Sequence, residues 1–262
     1  MSESFTTPRR FVRFAAVIAV LAAPAGLSAQ SATEHIALGD KDHAAMNAPS
    51  ALRHYEEAIK ADPRSYEALW KATREAVDVG EYNPDEKERD RLYTSAEQYA
   101  RRAVDANPGD AEGHFMLAKA LGRKALSLGK RDQVKYAGDV RSAALDCLKI
   151  NPKHDGCMHV IGKWNYEIMG LNGLTRMFAK TFLGGKVFNA ASLDSAQIYM
   201  ESATAAAPIR IVHHLDLGRV YAKKDMKDKA KAEFETAIKL TPIDFNDRKY
   251  QEEARKELED VR

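Results

Sequence analysis

The chain has 262 residues, of which 30% are charged and 8% aromatic, with a formal net charge of +2. This composition suits one sizeable core and excludes collagenous and disordered classes. Residues 1–29 set Arg9, Arg10 and Arg13 against Glu3 and so hold the whole formal excess; the near-neutral remainder gives no general attraction to nucleic acid.

The first segment reads as a secretory leader over residues 1–29. A basic stretch ends at Arg13, residues 14–23 are apolar, Pro24 and Gly26 interrupt the run, and Leu27-Ser28-Ala29 offers a cleavage site before Gln30. The apolar run is short for a membrane span, which needs about 20 residues. An uncleaved anchor is the alternative. A twin-arginine leader is a third reading, poorly continued by Phe11-Val12. The expected location is the bacterial periplasm or the exterior.

From residue 30 onward the chain reads as one solenoid of helix pairs. Pro208 and Pro242 are 34 residues apart, and Leu217, Gly218, Tyr221, Ala230, Phe234 and Ala237 between them occupy the packing positions of a tetratricopeptide (TPR) repeat. Prolines at 63, 108, 152, 208 and 242 close successive segments, because a proline forces the residue before it out of helical geometry. The units run over about 32–65, 66–110, 111–154, 155–210 and 211–244, with a capping helix at 245–262. Second helices carry Ala51, Tyr55 and Ala58; then Ala96, Tyr99 and Ala103, the tyrosine one step off the aromatic slot; then Ala144 and Cys147; Ala196, Met200 and Ala203; and Ala230, Phe234 and Ala237. First helices repeat a small residue in Leu38-Gly39, Ala72-Thr73, Leu117-Ala118, Ile161-Gly162 and Leu217-Gly218, which predicts close helix approach. The fold class is therefore all-α, a right-handed TPR-like solenoid.

The middle units are longer than 34 residues. Residues 81–90, highly charged and including Pro84, read as a solvated loop leading into a helix. Residues 171–192 carry Leu171, Leu174, Met177, Phe178, Phe182 and Leu183 before Gly184-Gly185, and read as a short helix packed over the solenoid. A lid or lipid-touching element at 171–185 is the alternative, which would make the protein envelope-associated. Residues 247–262 form a charged helix with Ala254 and Leu258 on one side, a solubilising cap.

Residues 159–171, His-Val-Ile-Gly-Lys-Trp-Asn-Tyr-Glu-Ile-Met-Gly-Leu, resemble the Gly-Arg-Trp region of the regulator of microtubule dynamics family. The resemblance covers about 65–262, taking in Ala68-Leu-Trp-Lys-Ala-Thr-Arg, Arg176-Met-Phe-Ala-Lys-Thr-Phe-Leu-Gly-Gly and His214-Leu-Asp-Leu-Gly-Arg-Val-Tyr. It departs at Lys163, where the family has arginine, and at Asn165, where cysteine is common. The resemblance implies an all-helical interaction protein without a catalytic motif. Microtubule binding does not carry over to a secreted bacterial chain.

The repeat grid also predicts a binding face. The fifth position of each unit reads Ile36, Trp70, Phe115, His159 and Leu215; the ninth reads Asp40, Arg74, Lys119, Lys163 and Arg219. Residues four apart share a helix face, so an apolar stripe would lie beside a basic one. Such a groove suits an acidic or carboxylate-bearing peptide or protein segment. In the competing reading, Arg74 and Arg219 pair internally with acids such as Glu67 or Asp216, while Trp70 and Phe115 pack in the core.

Cys147 and Cys157 flank a turn and either form a disulfide or stay as buried thiols. With His154, His159 and the His213-His214 pair, they match no known metal-finger spacing and bring no carboxylate cluster. Nothing supplies a Cys/His nucleophile with an orienting group, or a phosphate loop. The expectation is a non-enzymatic protein with no cofactor and no metal, bound to protein or peptide and not to nucleic acid.

Overall fold

The computed structural model describes residues 25–173 and 186–261, together with residues 1, 175 and 177. Helices follow in order: α1 (Ala25–Ala44), α2 (Ala48–Ala61), α3 (Tyr66–Glu81), α4 (Glu86–Ala106), α5 (Ala111–Ser127), α6 (Lys130–Ile150), α7 (Asp155–Gly170), α8 (Lys186–Asn189), α9 (Leu193–Ala206), α10 (Ile211–Lys223), α11 (Lys227–Lys239) and α12 (Asp247–Asp260). Each first helix packs on its own second helix, and most pairs also pack on the next pair, so the architecture is an α-solenoid.

Proline ends the second helices by one shared device. Asp62, Asn107, Asn151 and Ala207 each precede a proline, adopt φ of −133°, −146°, −127° and −139°, and donate their N–H back to the helix. This extended geometry is what a following proline imposes. Most of the next helices then start on a side-chain cap. Ser65, Asp110 and His154 accept from backbone N–H groups at the starts of α3, α5 and α7.

The two plain 34-residue units also share an inner turn. Met46 and Asp225 hold positive φ of 55° and 58°. The next residue, Asn47 or Met226, bonds back to the carbonyl of Asp42 or Tyr221. A left-handed residue with this bond pair reverses the chain in the fewest residues. The second and third units extend their second helices instead, to 21 residues in α4 and α6, whereas α9 of the fourth unit keeps the 14 residues of α2. Residues 81–90 are thus mostly helical: α3 runs to Glu81, Asp85 caps Lys87 and Glu88, and α4 begins at Glu86.

The seams within pairs match size against size. A Cβ on Gly39 would collide with the Tyr55 ring, one on Gly162 would lie 2.8 Å from Met200, and one on Gly218 would lie 2.5 Å from Phe234. Where the first helix carries Thr73 or Ala118 in that slot, the second carries fully buried Ala100 or Ala144. The aromatic slot of the second unit is therefore filled by Ala100; Tyr99 is half-buried and reaches Glu56 of the previous unit at 3.1 Å. Filling these seams to interior density is what makes the stack cooperative.

α12 lies along α10 and α11, burying Ala254 and Leu258, and it does more than cap an end. Asn246 Nδ2 donates to the Asp78 carbonyl at 2.9 Å, the Tyr250 hydroxyl to Glu81 at 2.6 Å, and the Tyr82 hydroxyl to Glu253 at 2.6 Å. The last helix thus reaches back to α3, across the inner face. Among the described residues, no helix is long and apolar enough to cross a membrane. Most of the apolar 171–185 stretch, and the leader up to residue 24, lie outside the described residues; Leu171 is buried, and the cleavage site at Leu27-Ser28-Ala29 falls inside α1.

Candidate binding groove

The inner face, lined by α3, α5, α7 and α10, encloses a cavity of about 720 Å³. Its floor is apolar, with Val134, Ala137, Val140 and Trp164 contributed largely by the third unit. The Trp164 ring is fixed by its Nε1–H, which donates to the Ala137 carbonyl at 2.7 Å. Arg74, Phe115, Lys119, His159 and Lys163 all line this cavity. Leu215 and Arg219 line an adjoining recess of about 220 Å³, shared with Lys163 and Asp216. Trp70 lines neither; it is half-buried against the first core cluster, with Lys71 and Arg74 over its ring at 5.6 and 5.3 Å. Leu215 is itself core, 1% exposed. At the same positions of the first unit, Ile36 packs on the core, and Asp40 accepts from Tyr55 and Lys71 at 2.8 and 2.6 Å.

The basic row is not bare. Arg74 pairs with Glu75 at 2.7 Å, Lys119 with Asp78 at 2.8 Å, and Lys163 with Asp216 at 2.7 Å. Arg219 holds Asp216, Glu253 and Glu257 at 3.1, 2.7 and 2.8 Å. Internal pairing of Arg219 with Asp216 is thus present; Arg74 takes Glu75 in place of Glu67, which pairs with Lys71. The partner acids Glu75, Asp78 and Glu81 recur every three residues along α3, a helical spacing that was open to reading in the sequence. Arg123 was overlooked because it sits one helical turn beyond the ninth position. It joins Glu81 at 2.5 Å and, with Tyr250 and Glu253, completes the network that ties α3, α5, α10 and α12 together.

The centre of this network is Asp216. Burial alone would raise its carboxyl, but Lys163, His159 and Arg219 outweigh that and hold it well below the usual carboxylate range. Arg219 is likewise raised against its burial by Asp216, Glu253 and Glu257. Burial and the neighbouring Glu81 push the Tyr250 phenol far up, so it stays a hydrogen-bond donor. His213 stacks on His159 with centroids 4.8 Å apart, and burial pushes its imidazole down to about 2, so it is neutral. The Phe115 ring leans on His154 at 4.9 Å and leaves no room for a side chain at Gly156. Behind it, Cys147 and Cys157 are joined as a disulfide that links α6 to α7.

Chemically, the groove offers an apolar floor under a rim of cations that already hold carboxylates. Among the described residues no nucleophile stands beside a base and an oxyanion site, the arrangement that acyl transfer needs.

The fold has solved counterparts. A thermophilic TPR protein of Thermus thermophilus superposes with a TM-score of 0.62 at 20% identity, over 85% of this chain and 98% of that one. In sequence, regulator of microtubule dynamics protein 1 of Bos taurus is 26% identical over 130 residues, which is 49% of this chain and 39% of the bovine protein. The Pongo abelii protein of the same name matches at 26% over 130 residues, covering 40% of its length. The matched stretch thus spans about two-fifths of these relatives. The family model for regulator of microtubule dynamics protein 1-3 matches residues 34–262. The chain is therefore a TPR-like member of the regulator of microtubule dynamics protein 1-3 family.

Proposed function

We propose that the chain is a non-enzymatic protein-interaction scaffold. Its inner groove takes a protein or peptide segment that sets apolar side chains on the Val134–Trp164 floor and presents carboxylates to Lys119 and Lys163. The observation that carries this reading is the cavity of about 720 Å³, with those two lysines on its rim and an apolar floor beneath. A site of that size, with an apolar floor and charged groups of both signs around it, suits anchoring side chains of a bound segment. Arg219 plays a different part. It anchors α12 through Glu253 and Glu257, while its third partner, Asp216, lies on its own helix. A ligand carboxylate at Lys119 or Lys163 replaces Asp78 or Asp216 in the same geometry, so affinity comes from the floor and selectivity from the rim.

A peptide-display selection on the full chain tests this. Enriched peptides should pair acidic with large apolar residues and should lose capture by Lys119→Glu/Lys163→Glu, whose helical circular dichroism is retained. Peptides without acidic residues, or equal capture by the double variant, would sink the proposal.

A further inference from the structure

We propose that in the reduced chain Cys147, His154 and Cys157 form a zinc site, and that Glu112 orients the histidine. One ligand atom from each of the three lies within 4.8 Å of the others. Both cysteines are fully buried, and their Cα atoms are 6.4 Å apart. His154 Nε2 meets Glu112 Oε2 at 3.2 Å, which leaves Nδ1 turned toward the first turn of α7, where it accepts from Cys157 N at a long 3.3 Å. A carboxylate holding the far nitrogen of a ligating imidazole is the recurrent second partner of zinc histidines. Two thiolates and one imidazole make a donor set that favours zinc over harder cations, and His154 lies at the groove wall, where solvent can supply a fourth ligand.

Two features argue that this cluster is more than a staple. His154 replaces the serine or aspartate that caps the starts of α3, α5 and α9, and it is the only histidine among the side-chain caps of the described helices. The carboxylate that the local spacing lacks comes from α5, 42 residues away in sequence. To take zinc the sulfurs must part to about 3.8 Å, set by Zn–S bonds of about 2.3 Å in a tetrahedron.

The chemistry balances without another agent on the binding side: two thiols and Zn²⁺ give a zinc dithiolate and two protons. Release needs a low-molecular-weight disulfide. The two thiolates lose two electrons and form the Cys147–Cys157 bond, the small disulfide takes those electrons and two protons to become two thiols, and Zn²⁺ leaves. Glu112 and His154 also line the groove, so the exchange would alter its wall.

The test uses the full chain, stripped of metal, reduced with a phosphine under argon and titrated with Co²⁺. Tetrahedral cobalt bands with sulfur-to-cobalt charge transfer should saturate at one equivalent and vanish when Zn²⁺ is added. The disulfide form should show none. Cys147→Ser and Cys157→Ser should each lose the charge-transfer band, and Glu112→Gln should weaken binding about 10–100-fold. Circular dichroism checks the fold of each variant. If the serine variants unfold, Glu112→Gln, which leaves both sulfurs in place, carries the test. Absence of the band in the reduced chain, cobalt binding by the disulfide form, or unchanged affinity in Glu112→Gln would overturn the proposal.

Discussion

The seams inside the helix pairs and the inner face of the solenoid are built on opposite rules. A seam is apolar and local: Gly218 receives Phe234, sixteen positions on in the same unit. The inner face is polar and distant: Arg123 meets Tyr250 and Tyr82 meets Glu253, more than 120 residues apart. Seams therefore determine whether a unit folds, while the inner face determines how the units close on one another.

The largest effect should come from emptying a seam. Phe234 is fully buried, so Phe234→Ala should lower stability by about 3–5 kcal/mol through lost burial and a cavity, read by urea unfolding. If the inner face is the weaker construction, Asp216→Asn should do less. It strips the charge that Lys163 and Arg219 share while keeping the side-chain shape beside His159, which puts it at the low end of the about 3–5 kcal/mol that breaking a buried ionic cluster costs. A larger loss than that of Phe234→Ala would reverse the ranking.

Acid should separate the two regions. His213 is neutral in the folded chain with a value of about 2, against 6.5 when free. Its folded value is depressed, so the stability it protects is present above pH 6.5 and is lost as pH falls, because the unfolded chain binds the proton first. Between pH 6.5 and 5 the loss should reach about 2 kcal/mol. Asp216 acts in the same direction but only below the usual carboxylate range, near pH 4 and lower. His213→Gln should flatten the first phase and leave the second; an unchanged profile between pH 6.5 and 5 would remove His213 from the account. The smallest effect expected is that of Tyr250→Phe, which deletes the bond donated to Glu81 and the long one accepted from Arg123 and should cost about 1.5 kcal/mol. Hydrogen exchange in α12 should rise in that variant while exchange in α2 stays unchanged. Faster exchange everywhere would mean that closure of the inner face also holds the seams.

The site was partly legible. The ninth-position grid found Arg74, Lys119, Lys163 and Arg219, and three of them line one cavity. Trp70 lines neither cavity and packs against the first core cluster, and Leu215 touches the recess only as a core residue. The grid also missed Arg123 and Tyr250, which owe their places to closure of the stack. The loop over 81–90 is confined to 82–85, because α3 runs to Glu81 and Asp85 caps α4 at once.

What the amino-acid order determined alone was everything with short reach. Prolines set the ends of helices, alternating small and large residues set the pairing, and repetition at a near-constant spacing set the stack, because each depends on contacts within about one unit. The tertiary structure alone decided which carboxylate answers each cation, and it brought Glu112 to His154 and α12 to α3. Those contacts depend on small rotations accumulated from unit to unit, which no local pattern encodes.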